Sequence, residues 1–248
     1  MNVFFLHNPK AGGSSVRAVL ESLVPNEKTA PTFCNAPEDA RARSWDVEAL
    51  RGFGLYAGHY GYDVFEEFGT RHALITNFRN PVDRIRSLYR YWRNNVDLNG
   101  LSSLHEGDAR VVRLAHSLSF SEFIRSSDPN LRLYLENFHF RQIFKSGWEW
   151  CDVNAVNISI VHNRISGMEW FYVAEMPQAS IVLFKDFLGP ECAAEIPYEN
   201  VSSGPDVLLT DDDREYLLGI NTLDLEIYAL AVALQQNRLE ARHTPGAD

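Results

Sequence analysis

The sequence predicts an α/β fold built on a parallel sheet, and three observations carry that expectation. Apolar runs of strand length recur at Val3–Leu6, Phe53–Ala57, Ala73–Phe78 and Trp170–Glu175. Between them lie stretches whose apolar residues follow the helical period instead of strand alternation. Strands that alternate with helices pair in parallel, because each helix carries the chain back across the sheet.

Each element has a local reason. Val3–Leu6 reads as a short buried strand, after which the chain turns through Pro9, Gly12 and Gly13. From about Ser14 the positions Val16, Val19, Leu20 and Leu23 fall on one helical face. Pro25 to Asp46 holds three prolines and few apolar residues, which suits an excursion over the surface. Phe53–Ala57 leads into Gly58-His59-Tyr60-Gly61-Tyr62. Ala73–Phe78 ends in Arg79-Asn80-Pro81, where Asn80 as cap, Pro81 at the first position and Asp83 in the first turn start a helix. Val82, Ile85, Leu88, Tyr89 and Trp92 form its buried stripe. Residues 96–110 are polar and expected to be loop.

Helices are expected over Ser119–Arg125, Leu131–Phe138 and Asp152–Ile165. Pro177–Leu188, stopped by Gly189, is expected to be helical despite the β-branched pair Ile181 and Val182. From Leu209 the chain reads as helix to about Ala241, broken near Asn221. No repeat or low-complexity tract interrupts the pattern. One domain over residues 1–248 is therefore expected, with a helical C-terminal portion at about 205–241.

With 248 residues, 45% hydrophobic and 23% charged, the chain can bury a substantial core. No run of about 18 apolar residues occurs, so no membrane span is expected. A strand at the very start leaves no room for a leader peptide. Cys34, Cys151 and Cys192 are odd in number and form no C-x-x-C, which points to reduced thiols, a cytoplasmic location and no zinc site. The net charge of −10 argues against nucleic acid or a heavily anionic polymer as partner.

Two local patches run against that charge. Strand, glycine turn and helix start present free backbone N–H groups and a positive dipole end to an anion. Lys10 supplies an ammonium on the strand side of the turn, and Ser14 and Ser15 supply hydroxyls. This is not the G-x-x-x-x-G-K-[ST] nucleotide loop, because the lysine precedes the glycines. In the second patch five arginines (79, 84, 86, 90 and 93) stand against one acid, Asp83, between Arg79 and Arg93. Arg79 ends a strand, where ligands of open parallel sheets bind, and Ser87 lies eight residues on. An arginine fork with a hydroxyl suits a phosphate group. Arg90 and Arg93 read as a solvated helix side; Arg84 and Arg86 fit either reading.

His7-Asn-Pro-Lys10-Ala-Gly-Gly13-Ser14-Ser15 resembles the 5′-phosphosulfate loop of the sulfotransferases that use 3′-phosphoadenosine 5′-phosphosulfate (PAPS). Arg79-Asn-Pro81-Val-Asp83-Arg-Ile-Arg-Ser87-Leu-Tyr89 looks like that family's 3′-phosphate motif. Gly58-His59-Tyr60-Gly61 and Asn137-Phe-His-Phe-Arg141 are similar to elements of the carbohydrate-type enzymes, the heparan sulfate 2-O-sulfotransferase-like group. Val173-Ala-Glu175, Ile196–Ser202 and Leu223–Tyr228 are weaker matches to a strand-end glutamate, a cofactor-side loop and a closing helix. Where the family often has threonine after the lysine, this chain has Ala11.

The resemblance implies a P-loop-like three-layer fold with a central parallel sheet flanked by helices. It implies sulfuryl transfer from PAPS to a hydroxyl, a saccharide first, with 3′,5′-adenosine diphosphate as product and no metal required. Lys10, Ala11, Gly12, Gly13, Ser14, Ser15, Arg79, Ser87, Asn200 and Ser202 would bind the cofactor, and His59 and Arg141 the acceptor. Lys10 would stabilise the departing phosphate and His59 would act as base near neutral pH. Glu21, Glu66 and Glu67 are fallback bases, His7 is expected to orient the loop, and Glu175 to pair internally with an arginine. The alternatives are a nucleotide kinase or other P-loop phosphotransferase, which needs an acid near a strand end for Mg²⁺ where this strand has Asn77, and a catalytically silent nucleotide-binding protein. The acceptor's identity and the oligomeric state are not readable.

Overall fold

The computed structural model describes residues 2–30, 51–104, 106–189 and 206–243. Strands β1 (Val3–Leu6), β2 (Leu55–Gly58), β3 (Ala73–Phe78) and β4 (Trp170–Val173) form a parallel sheet in the order β2-β1-β3-β4. Val3 pairs with Leu55 on one side and with Ala73 on the other, and Ile75 pairs with Trp170. The strands are apolar on both faces because both faces are covered.

Val3, Phe5, Ile75 and Trp170 pack against helix α1 (Gly13–Leu23) and against Phe184 of a later helix at Pro177–Leu188. Phe4, Leu6, Leu74 and Phe171 face the opposite layer. That layer holds Phe140 and Ile143, Val161 and Ile165, and Leu223 and Ile227, from three separate helices. The described residues thus form helix, sheet and helix layers. A further helical cluster is built around the helix after β3, labelled α2 (Pro81–Asn95).

The α-helices of six or more residues that follow are α3 (Glu106–Ser117), α4 (Phe120–Arg125), α5 (Pro129–Leu135), α6 (Phe138–Phe144) and α7 (Ala155–Ser166). After β4 come α8 (Pro177–Leu188), α9 (Asp211–Ile220) and α10 (Thr222–His243). The last two meet at 85° beside Asn221, the expected break. No single helix among the described residues is long and apolar enough to cross a membrane.

Several expectations are corrected. The second strand begins at Leu55 and the fourth ends at Val173. The polar stretch at 96–110 holds a 3-10 turn (Leu98–Ser103) and the start of α3, whose buried face includes Ala109, Val111 and Val112. Its polar look misleads because Asp108 is itself buried, accepting from the Tyr134 hydroxyl at 2.6 Å. The expected Leu131–Phe138 helix is two helices divided at Asn137, whose φ of 44° ends one and starts the next. There the two helix starts cap each other. Asn137 Oδ1 accepts from the N–H groups of Leu223 and Asp224, and Asp224 accepts from those of His139 and Phe140. Leu23 is 40% exposed, because α1 stops there before completing its apolar face. Of the surface excursion expected over Pro25–Asp46, the start is corrected: after a 3-10 turn at Asn26–Lys28, Thr29 bridges to Leu55 and Ala30 is buried. Residues 31–46, with Cys34, and Cys192 lie outside the described residues.

Candidate functional site

The strand order reverses between β1 and β3, so the crevice outside their carboxyl ends is the switch point where open α/β sheets bind ligands. The Lys10 turn leaves β1 there and Arg79 leaves β3 there. Arg79 Nη1 donates to the Lys10 carbonyl at 3.1 Å, so the two expected anion patches adjoin.

The turn is held from beneath. Asn8 is buried, and its peptide is gripped by Asn77: Asn8 N–H donates to Asn77 Oδ1 at 2.8 Å, and Asn77 Nδ2 donates to the Asn8 carbonyl at 2.9 Å. Lys10 has φ 65° and Gly12 φ 81°, two left-handed residues that reverse the chain into α1. The helix begins at the crevice end of the turn, and its N-cap residue Gly12 has no side chain to cap it. Gly13 is needed for another reason than ligand approach. A Cβ there would stand 2.2 Å from His7 Cδ2, and one at Gly12 would stand 2.6 Å from a Tyr172 ring carbon. Of the loop residues Gly12 and Ser14 are exposed, whereas Ala11, Gly13 and Ser15 are buried. A threonine methyl and hydroxyl at position 11 would have to fit where Ala11 has no exposed surface.

Lys10 is half-buried, and burial together with the Arg79 charge lowers its pKa to about 8. Its ammonium rests 4.1 Å from the centroid of the Tyr91 ring. Ser87 is buried one turn earlier on α2.

His59 stands at the end of β2, half-buried, with its ring centroid 5.0 Å from that of His7. His7 is buried and stacks on Phe5; burial, then the neighbouring His59, Arg17 and Lys10, hold its pKa well below the histidine range. A neutral, packed His7 fits the expected part of orienting the loop. Gln142, fully buried on α6, ties the turns after β1 and β2 together by donating to the carbonyls of Tyr60 at 2.8 Å and His7 at 3.2 Å. Trp148 Nε1 donates to the His59 carbonyl at 3.4 Å.

Other expected residues are committed elsewhere. Arg141 is buried, and its guanidinium donates to the carbonyls of Leu133, Glu136, Gly147 and Glu149. It staples a loop and is not aimed at an acceptor. Arg84, buried, donates to the Tyr134 carbonyl at 2.8 Å. Arg86 and Arg90 meet Asp206, and Arg93 meets the Ala115 and Leu118 carbonyls, so the arginines of α2, unlike Arg79 before it, hold the helical layer together. Glu175 has no arginine partner among the described residues; it accepts from Asn80 N–H at 3.0 Å and bonds the Tyr228 hydroxyl, whose pKa burial and this carboxylate raise to about 12. The fallback bases are ion-paired, Glu21 with Arg17, Glu66 with Arg164 and Glu67 with Arg51. Asn200 and Ser202 lie outside the described residues. A hollow of about 400 Å³ in the helical layer, bounded by Tyr89, Arg90, Phe120 and Val207, is lined by none of the expected site residues.

Sequence reasoning did not find Tyr91, Gln142 or the part played by Asn77. Tyr91 had one available signal, its place four residues after Ser87 on the same helix face. Compared with family models the chain matches none, and it matches no curated protein.

Proposed function

We propose that this chain is a sulfotransferase that transfers the sulfuryl group of PAPS to a hydroxyl acceptor, a saccharide in the first instance. The observation that carries the reading is the bond from Arg79 to the Lys10 carbonyl. It gathers a guanidinium, an ammonium and an uncapped helix start around one crevice at the switch point. On this reading the layers form a P-loop-like three-layer fold. PAPS would supply an activated sulfuryl group on a phosphate that leaves readily.

The chain's own residues suit that chemistry, which asks for positioning and charge stabilisation more than covalent help. Lys10, the first N–H groups of α1 and the Ser14 hydroxyl would hold the 5′ end, and Arg79 with Ser87 the 3′-phosphate. The Lys10 ammonium would neutralise charge gathering on a phosphate oxygen. The His59 imidazole would take the acceptor's hydroxyl proton, while His7, held neutral, fixes the turn beside it. A kinase reading asks for a carboxylate near the end of β3. Asn77 stands there, with both amide atoms engaged by Asn8.

The test is calorimetry with 3′,5′-adenosine diphosphate and with ATP, followed by an acceptor screen using labelled PAPS. Tighter binding of 3′,5′-adenosine diphosphate and label transfer to a saccharide are expected. Preference for ATP would replace this reading with the kinase one. His59→Ala should abolish transfer and leave 3′,5′-adenosine diphosphate binding intact.

A further inference from the structure

The Lys10 ammonium does not point into open solvent; it lies over an aromatic face at the rim of the crevice. Its backbone has little freedom to choose otherwise. A lysine at φ 65° is in a region that non-glycine residues seldom occupy, and the Arg79 bond fixes its carbonyl there. Tyr91 is presented from α2 at a fixed height, one turn past Ser87, and stays 38% exposed although large. An ammonium that is half-buried beside a guanidinium gains from the negative face of a ring, which offsets what water no longer gives it.

We propose that Tyr91 is a positioning residue whose ring is the resting station of the Lys10 ammonium, which leaves the ring for the anion when ligand enters the crevice. The inference rests on the reading of Lys10 as the anion-binding cation, though not on the identity of the group transferred. No bond is made or broken in the move. The ring supplies only its face, so phenylalanine should serve as well as tyrosine and leucine should not.

The charged and titratable groups acting on Lys10 among the described residues set the direction of the effect. Arg79, at the end of β3, opposes the ammonium, and His7, at the end of β1, is neutral. Tyr91, from α2, is thus the group that favours the charged form. Without the ring Lys10 should lose its proton at lower pH.

Competitive acetylation of Lys10 against pH, read by mass spectrometry, tests this on the whole chain with and without 3′,5′-adenosine diphosphate. Tyr91→Phe should follow the wild-type profile. Tyr91→Leu should become reactive at a pH lower by half a unit or more. In the wild type, ligand should protect Lys10 and raise the iodination rate of Tyr91 several-fold as the ring is uncovered. Identical Lys10 profiles for Tyr91→Leu and wild type would overturn the proposal, as would a Tyr91 iodination rate that bound ligand leaves unchanged. If 3′,5′-adenosine diphosphate binds no form, the sulfotransferase reading fails, and the ligand-free profiles still decide whether Tyr91 holds the ammonium.

Discussion

Asn77 holds the Asn8 peptide by both its polar atoms, accepting at 2.8 Å and donating at 2.9 Å, where neither residue is exposed. A carboxamide does both without charge, which an ionised carboxylate of the same shape does not. Asn77→Asp keeps the shape but turns the donor into an acceptor facing a carbonyl, with a buried charge. A buried polar group left without its partner costs about 1–3 kcal/mol, and a charged one more. Urea unfolding should show a loss of that size, and 3′,5′-adenosine diphosphate binding should weaken because the turn is no longer held. A variant as stable as the wild type would mean that the fork does not support the loop.

Arg79 should matter to two things at once. Its guanidinium is expected to meet a 3′-phosphate, and it already braces the Lys10 carbonyl. Hydrogen bonds to charged groups are worth about 1.5–3 kcal/mol, so Arg79→Ala should weaken 3′,5′-adenosine diphosphate by roughly 10- to 100-fold. Adenosine 5′-phosphate, lacking the 3′ group, should lose only a few-fold, through the loosened turn. Titration calorimetry separates the two ligands, and equal losses would remove the 3′-phosphate from Arg79.

The pH dependence of anion binding follows from Lys10. Burial and Arg79 lower its pKa to about 8, so the ammonium is present below that pH and lost above it. The affinity for 3′,5′-adenosine diphosphate should rise towards neutral pH as the ligand's phosphates take their second charge at about pH 6, and fall again as pH rises through about 8. Lys10→Ala should bind about tenfold or more weakly at neutral pH, without that fall. A wild-type curve as flat as the variant's above neutral pH would take Lys10 out of the anion site.

How much of this could be read in advance depended on how far each signal reaches along the chain. β1, the glycine turn, α1 and the Asn80-Pro81 helix start were legible because neighbouring residues state them, and Asn80 does accept from Val82 N–H at 3.0 Å. The α2 arginines were not, because what engages them comes from far away: the Tyr134 carbonyl and the Asp224 charge for Arg84, Asp206 for Arg86 and Arg90. Arg141 was expected to bind an acceptor only through the resemblance; its partners are backbone carbonyls close by in the chain, which no motif announces. Tyr91 falls outside the buried stripe of α2, where periodicity has nothing to say about it.

Gly13 should be sensitive to the smallest side chain. Its backbone conformation is helical, so the difficulty with alanine is space: His7 Cδ2 at 2.2 Å and Asn77 Nδ2 at 2.9 Å from the added Cβ. Overpacking of this kind costs about 1–3 kcal/mol. If the clash with the imidazole is the cause, Gly13→Ala should cost less in a His7→Ala background than alone. A double-mutant cycle by urea unfolding measures that coupling. Strict additivity would place the cost elsewhere.

His139 makes the fold sensitive to acid. The Thr76 hydroxyl has one proton and donates it to the Leu6 carbonyl at 2.7 Å, so at 3.1 Å His139 Nε2 must be the donor to Thr76 Oγ1. A second proton would have to enter a site 3% exposed beside the Arg84 charge, and burial with that charge pushes the pKa down to about 3. In the unfolded chain the same imidazole titrates near 6.5. Between those values the unfolded state binds the extra proton, so stability is present above about pH 6.5 and drains away as pH falls. One proton's difference is worth up to about 1.4 kcal/mol per pH unit. His139→Gln can still donate to Thr76 but does not titrate. Unfolding free energies measured in urea at pH 7, 6 and 5 should therefore fall more steeply for the wild type than for His139→Gln, and parallel curves would show that His139 is not kept neutral by the fold.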